Sequence, residues 1–126
     1  MRIDLETGEQ SNLIRTYAPG RIAVHDTVYH ASLIVLPQRI IADWPPQTFE
    51  ELTVDHMQVL ADLDCEVILL GTGRRLRFPP TTLLTPIAAA SIGIEIMDTG
   101  AACRTYNILM GEGRRVAAAL MMIESV

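Results

Sequence analysis

The stretch VILLGTGRRLRFPP occupies residues 67–80 and decides how the rest of the chain is interpreted. It begins with a short run of apolar residues, which is typical of a strand that is buried on both faces of a sheet. Two glycines follow, and a Gly-x-Gly sequence lets the backbone turn sharply so that amide groups point outward. The sequence therefore predicts a buried strand at Glu66–Leu70 and a glycine-dependent loop at Gly71–Phe78.

Helices and strands alternate on the carboxyl side of this loop. A helix that begins with Thr85 as its cap and Pro86 in its first position is chemically better than one that begins at Thr82, because proline suits the first turn. Gly93 is expected to end this helix as a left-handed cap. The predicted elements that follow are a strand at Ile94–Met97, a helix at about Ala101–Met110 and a strand at Arg115–Ile123.

Strands dominate the amino side of the stretch. They are predicted at Leu13–Tyr17, Arg21–Val24, Thr27–Leu36 and Arg39–Asp43. The pair His25-Asp26 predicts a hairpin turn, and Thr53 can cap a helix at Thr53–Leu63. We therefore expect an α/β fold: one compact domain at residues 20–126, in which about three helices pack on a mixed β-sheet and the N-terminal half is β-rich. Residues 1–19 are expected to form an N-terminal arm.

The composition excludes several function classes. The formal net charge is −5 and all ten basic residues are arginines. A nucleic-acid binder normally presents a basic face, and a Schiff-base or Walker-type site needs lysine. No apolar run approaches the roughly 20 residues that span a bilayer. Two cysteines do not make a disulfide framework. These observations favour a cytoplasmic chain that does not bind nucleic acid or insert into a membrane.

Two segments hold the residues that could form a ligand or partner site. The first is the glycine loop, and the second is the start of the last helix, because α/β proteins place ligands where strands end and helices begin. The candidate residues are Gly71, Thr72, Gly73, Arg75, Phe78, Asp98, Thr99, Cys103, Arg104 and Asn107.

Each candidate also has a structural interpretation. A bare Gly-x-Gly is typical of a loop with solvated arginines as well as of a small-anion site, and Asp98 with Thr99 can simply cap a helix. The dipole of that helix could lower the pKa of the Cys103 thiol, whereas Asp64 and Glu66 should raise that of Cys65. No base can be assigned to a nucleophile, and the histidines and cysteines lack metal-ligand spacing. The sequence predicts no catalytic residue, metal or cofactor.

Several motifs together resemble a known family. They are ILLGTG at residues 68–73, RFPP at 77–80, GIE at 93–95, MDT at 97–99 and AACRTYN at 101–107. This set is similar to a bacterial family of domains of unknown function with the Mth-type fold. The family includes the mitochondrial respiratory complex I assembly factor three and the adipogenesis-associated Mth-type domain proteins. The resemblance implies a mixed sheet with helices packed on it and a β-hammerhead-like excursion.

The resemblance implies no catalytic residue, and its mitochondrial members imply a role in the assembly of membrane-bound respiratory complexes through protein contacts. The first hypothesis is therefore a non-enzymatic interaction or assembly module with a protein partner. The alternative is a protein, or an enzyme, that binds small anions or nucleotides between the Gly71–Arg75 loop and the helix start at Asp98–Arg104. Redox sensing through Cys103 is a third hypothesis. An exposed strand edge would also allow a homo-oligomer.

Overall fold

Two β-sheets organise residues 11–125, which are the residues that this computed structural model describes. The smaller sheet is antiparallel and contains β1 (Ile14–Ala18), β2 (Arg21–Val24) and β3 (Thr27–Tyr29) in that order. The larger sheet has the order β5-β4-β8-β6-β7. Its strands are β4 (Leu33–Leu36), β5 (Arg39–Ile41), β6 (Val67–Gly71), β7 (Gly93–Met97) and β8 (Val116–Leu120).

Three α-helices occur in the described residues: α1 (Val54–Ala61), α2 (Thr85–Ala89) and α3 (Thr99–Gly111). Single 3₁₀ turns lie at Phe49–Glu51 and Thr81–Leu84. Thr53 and His56 form a capping box at the start of α1, in which each side chain accepts a hydrogen bond from the other residue's backbone N–H. Asp98 caps α3 by accepting a bond of 2.9 Å from the amide of Ala101. These caps satisfy amides that have no partner within the helix.

The larger sheet is mixed and has two covered faces. β6 pairs in parallel with both β7 and β8, whereas β4 pairs with β8 and β5 in antiparallel fashion. Successive side chains of a strand point to opposite faces. Ile68 and Leu70 accordingly join the core cluster that contains residues of α1 and α2, whereas Leu69 joins the cluster that contains α3 and the smaller sheet. The expected α/β domain with a mixed sheet, three helices and a β-rich N-terminal half is confirmed.

The structure corrects two of the predicted elements. The single strand expected at Thr27–Leu36 is two strands in different sheets, with the exposed β3 followed by the fully buried β4. The helix that contains Pro86 has Thr85 as its first residue and Leu84 as its cap, so the prediction that Thr85 caps it is wrong, and the helix ends at Ala89. Ser91, with a φ of 59°, adopts the left-handed conformation after it. Gly93 instead begins β7, so the prediction that it ends the helix is wrong.

The N-terminal strand belongs to the packed structure. β1 lies on the N-terminal side of the expected boundary at residue 19 and pairs with β2 across it. The isolated bridge between Pro19 and Ile123 further joins this region to the chain that follows β8. Residues 1–10, which form the first half of the expected arm, lie outside the described residues.

Candidate functional site

A buried threonine sets the shape of the loop that follows β6. The Thr72 side chain is 1% exposed. Its hydroxyl donates a hydrogen bond of 2.6 Å to the carbonyl of Arg75 and accepts one of 3.1 Å from the amide of Arg77. The backbone N–H of Thr72 donates to the carbonyl of Met97 at the end of the neighbouring strand. The loop is therefore held from inside, with Arg74 and Arg75 exposed.

The two glycines allow the loop to pack against the start of α3. The hydroxyl of Thr99 accepts a hydrogen bond of 2.8 Å from the amide of Gly73 and donates one of 2.7 Å to the carbonyl of Met121. The Thr99 amide donates in turn to the carbonyl of Gly73. A Cβ atom at Gly71 would lie 2.9 Å from the Thr99 hydroxyl oxygen, and Gly73 has a φ of 94°. A side chain at either position would strain this junction.

The two candidate segments lie side by side, and the structure shows what their polar groups do. Gly71, Thr72, Gly73, Asp98 and Thr99 come together, and hydrogen bonds that they make with one another and with neighbouring backbone groups join β6, α3 and the chain after β8. Their side-chain oxygens are used inside the protein. As Asp98 caps α3, the structural interpretation of that residue is the one that the geometry supports.

The glycine turn was expected to point backbone N–H groups at an anion. The amide of Arg74 in this turn already has an acceptor within the chain. The Glu124 carboxylate accepts a hydrogen bond of 2.6 Å from it, and the same carboxylate lies where a Cβ atom at Gly73 would stand. A free anion would have to displace this side chain. Sequence reasoning missed Glu124, because a contact between residues 50 positions apart leaves no local signal.

Cys103 is a core residue. Its side chain is 1% exposed in the cluster between α3 and the sheets. Burial raises the pKa of the Cys103 thiol to about 12, and the nearby Arg104 guanidinium opposes that rise only in part. The expectation that the helix dipole lowers this pKa is therefore wrong, because removing the thiolate from water outweighs the dipole. The pKa of Cys65 is raised chiefly by burial, with Asp64 a smaller cause.

The remaining candidates on α3 attach the helix to the smaller sheet. The side-chain amide of Asn107 donates a bond of 2.8 Å to the carbonyl of Ile14 and accepts one of 3.0 Å from its N–H. The Arg104 guanidinium donates a hydrogen bond to the Tyr17 hydroxyl and lies 5.9 Å from the centre of that ring. Both residues therefore contact β1 and are not joined to the glycine loop by a hydrogen bond.

Solvent-facing chemistry is concentrated on the outer part of the loop, which we call the Phe78 surface. It consists of Arg74, Arg75, Leu76, Phe78 and an adjoining groove of about 410 Å³. Phe78 is 70% exposed, the largest value for a large apolar side chain in residues 11–125. The groove is lined by Phe49, Glu50, Leu52, Arg77, Pro79, Pro80 and Leu83.

A second groove of about 450 Å³ lies at the other end of the parallel strands. Its lining includes Arg114 and Arg115, which form ion pairs with Glu66 and Asp64 at 3.0 and 2.9 Å. Much of its positive charge is thus already balanced. Residues 11–125 hold no group of three or more His, Cys, Asp and Glu side chains placed to bind a metal ion. No helix in the described part of the chain is long and apolar enough to cross a membrane.

Residues 14–121 match the family described as a protein of unknown function, DUF498/DUF598. This chain belongs to the DUF498/DUF598 family. The match includes both sheets and all three helices, so it extends over the structural unit described above.

Individual relatives agree with the resemblance inferred from the motifs. The chain is 32% identical to a Bordetella pertussis protein described as a Mth938-like domain, with a TM-score of 0.79 over 100% of this chain and 94% of that one. It is 30% identical over 111 residues to the zebrafish (Danio rerio) NADH dehydrogenase (ubiquinone) 1 alpha subcomplex assembly factor 3. That alignment covers 86% of this chain but only 63% of the zebrafish protein.

A third relative carries a different kind of name. The "13 kDa major membrane protein" of Francisella tularensis is 26% identical over 108 residues, which cover 85% of this chain and 88% of that protein. The predicted relation to the Mth-type fold and to the complex I assembly factor is confirmed by the family match and by these relatives.

Proposed function

We propose that this chain is a non-enzymatic interaction module that supports the assembly of membrane-bound respiratory complexes by binding a protein partner. The observation that carries the proposal is the difference between the buried and the exposed side chains of the candidate site. Its buried hydroxyl groups bond backbone groups of the same chain, while its most exposed apolar side chain, Phe78, faces solvent. An exposed aromatic residue beside a groove is typical of a surface that binds another molecule. The similarity to an assembly factor gives the proposal its biological class.

The same geometry weighs against an anion or nucleotide site at the loop. The Glu124 carboxylate accepts the amide of Arg74, and the Thr99 hydroxyl accepts that of Gly73. A small anion would therefore have to compete with acceptors that belong to the chain. A nucleophilic role for Cys103 would also require a thiolate in the apolar core, which burial disfavours.

The proposal is tested by deleting the gene in the organism that encodes this chain. Respiratory complexes are then separated by native gel electrophoresis and stained for NADH dehydrogenase activity. We expect less assembled complex and an accumulated subassembly, both restored by the wild-type gene. An unchanged amount of every respiratory complex in the deletion strain would contradict the proposal. A copy with Thr27→Val, altered at an exposed threonine of β3 and outside the candidate site, is the control and should restore assembly fully.

A further inference from the structure

We propose that the Phe78 surface binds an extended, acidic segment of a protein partner, which places a large apolar side chain in the groove and carboxylates against Arg74 and Arg75. This inference rests on the proposed function, because it names the surface and the chemistry through which an assembly module would hold its partner. Three properties of the surface support it: a fixed shape, a concave apolar floor and a local positive charge.

The exposure of Phe78 is built into the fold. The residues before it are held by the Thr72 hydroxyl, which bonds both Arg75 and Arg77. The residue after it, Pro79, is buried, and Pro80 is the N-terminal cap of the 3₁₀ turn at Thr81–Leu84. Proline restricts the backbone on this side as well. A surface that is already ordered loses little conformational entropy on binding, which favours recognition.

The groove beside Phe78 can accept a side chain. Its apolar lining comes from the 3₁₀ turns and prolines on either side of it, and its volume of about 410 Å³ lies within the usual range for binding sites. Arg77 forms a fixed wall: its guanidinium lies 4.5 Å from the centre of the Phe49 ring and its Nη1 lies 2.7 Å from a Glu50 oxygen. The Glu50 ion pair leaves Arg77 less available to a partner, so Arg74 and Arg75 are the cations that remain.

The charge of this region differs from that of the whole chain. The net charge is −5, yet three arginines and no Asp or Glu lie between Glu66 and Glu95; even with the Glu50 and Glu124 carboxylates that contact this segment, its positive charges exceed the negative ones by one. Among residues 11–125, the side chains of Arg74 and Arg75 form no ion pair. An acidic segment is therefore attracted to this loop more strongly than to the chain as a whole, whose net charge is negative.

A protein segment fits these features better than an anionic membrane does. A bilayer surface could take up the protruding Phe78 ring, but it has no single side chain to place in the concave groove. The chain's net negative charge also opposes adhesion to anionic lipids. An extended peptide can place one side chain in the groove and others along the loop, because Arg77 and Pro79, which line the groove, belong to the same loop as the two arginines and neighbouring residues of an extended chain are about 3.3 Å apart.

The test uses a display library of short random peptides, selected on the immobilised full-length chain. Enriched peptides are synthesised and their affinities are measured by fluorescence anisotropy. We expect them to combine acidic residues with at least one large apolar residue. Phe78→Ala should weaken their binding by about tenfold or more. The double variant Arg74→Glu, Arg75→Glu should do the same, and added salt should weaken binding to the wild-type chain.

Ile108→Ala is the matched control, because Ile108 is 62% exposed but lies on α3, outside the Phe78 surface. Its peptide affinity should stay within about twofold of the wild-type value. Phe78→Leu keeps a large apolar side chain and should retain most of the binding. The inference is overturned if selection yields no binder, if the selected peptides carry no acidic residues, or if Phe78→Ala binds them as tightly as the wild type.

Two further experiments distinguish this inference from a lipid-binding surface and from the proposed function. Binding to vesicles of phosphatidylcholine and phosphatidylglycerol that depends on Phe78, with no peptide binding, would assign the surface to lipid and overturn the inference. Complementation of the deletion strain separates it from the proposed function. Full rescue by Phe78→Ala of a real assembly defect overturns only the role of this surface. Normal assembly in the deletion strain, together with Phe78-dependent peptide binding, overturns only the respiratory function and supports the surface.

Discussion

Replacing Thr99 with valine removes the hydroxyl that joins three parts of the fold. This hydroxyl accepts the Gly73 amide at 2.8 Å and donates to the Met121 carbonyl at 2.7 Å, in a position with no solvent exposure. Valine has nearly the same shape but leaves both backbone groups without this partner. A buried polar group that loses its partner costs about 1–3 kcal/mol, so we expect Thr99→Val to lower the free energy of unfolding by about 2–6 kcal/mol.

The free energy of unfolding is measured by urea denaturation followed by circular dichroism. Thr99→Ser keeps the hydroxyl and loses one buried methyl group, so it should cost only about 1 kcal/mol. Thr82→Val at an exposed position should change stability by less than about 0.5 kcal/mol. The reasoning is refuted if Thr99→Val is as stable as Thr99→Ser, because the two hydrogen bonds would then contribute nothing that methyl packing does not replace. Failure of Thr99→Val alone to fold would agree with the upper end of the range.

Three further outcomes are expected. The Cys103 thiol is buried and its pKa is raised to about 12, so it should resist alkylation near neutral pH in the folded chain and react fully in urea. Mass spectrometry measures the extent of labelling, and rapid labelling of the native protein would show that the core opens at this residue. Asn107→Ala should destabilise the attachment of β1, with faster hydrogen exchange of the Ile14 amide; unchanged exchange would show that β1 is held by other contacts. Hydrogen bonds from the Arg115 amide and the Arg114 side chain lower the pKa of Glu66 below 4.5. Glu66→Gln should therefore lower the free energy of unfolding by its full amount above about pH 4.5, and the difference from the wild type should vanish as the pH falls through the lower pKa of the folded state. A difference that does not change with pH would contradict this origin.

Local patterns were sufficient to predict much of the fold. The apolar run before Gly71, the turn at His25-Asp26 and the cap at Asp98 each depend on residues close together in sequence, and each element is found. The prediction of one strand at Thr27–Leu36 failed for a physical reason. An extended, β-prone segment can change sheets without changing its local conformation, and only the partners of each half distinguish β3 from β4.

The candidate site was likewise predictable only in those features that depend on nearby residues. The motifs marked the loop and the start of α3 as candidate segments, and the structure shows that the two follow neighbouring parallel strands. They could not indicate that Glu124 accepts the Arg74 amide or that Asn107 holds Ile14, because those contacts join residues far apart in the chain. The burial that raises the pKa of Cys103 depends likewise on the smaller sheet, which comes from the other end of the sequence.

The sequence by itself determined the family, the α/β class and the glycine loop. It also determined that no lysine takes part in the chemistry of this chain, because the sequence contains none. All of these depend on residue identity and on short-range spacing. Only the tertiary structure decided that the polar residues of the loop are used in internal hydrogen bonds and that Phe78 and two arginines face solvent. Exposure and hydrogen-bond partners depend on which distant segments pack against a residue, and local sequence does not specify them.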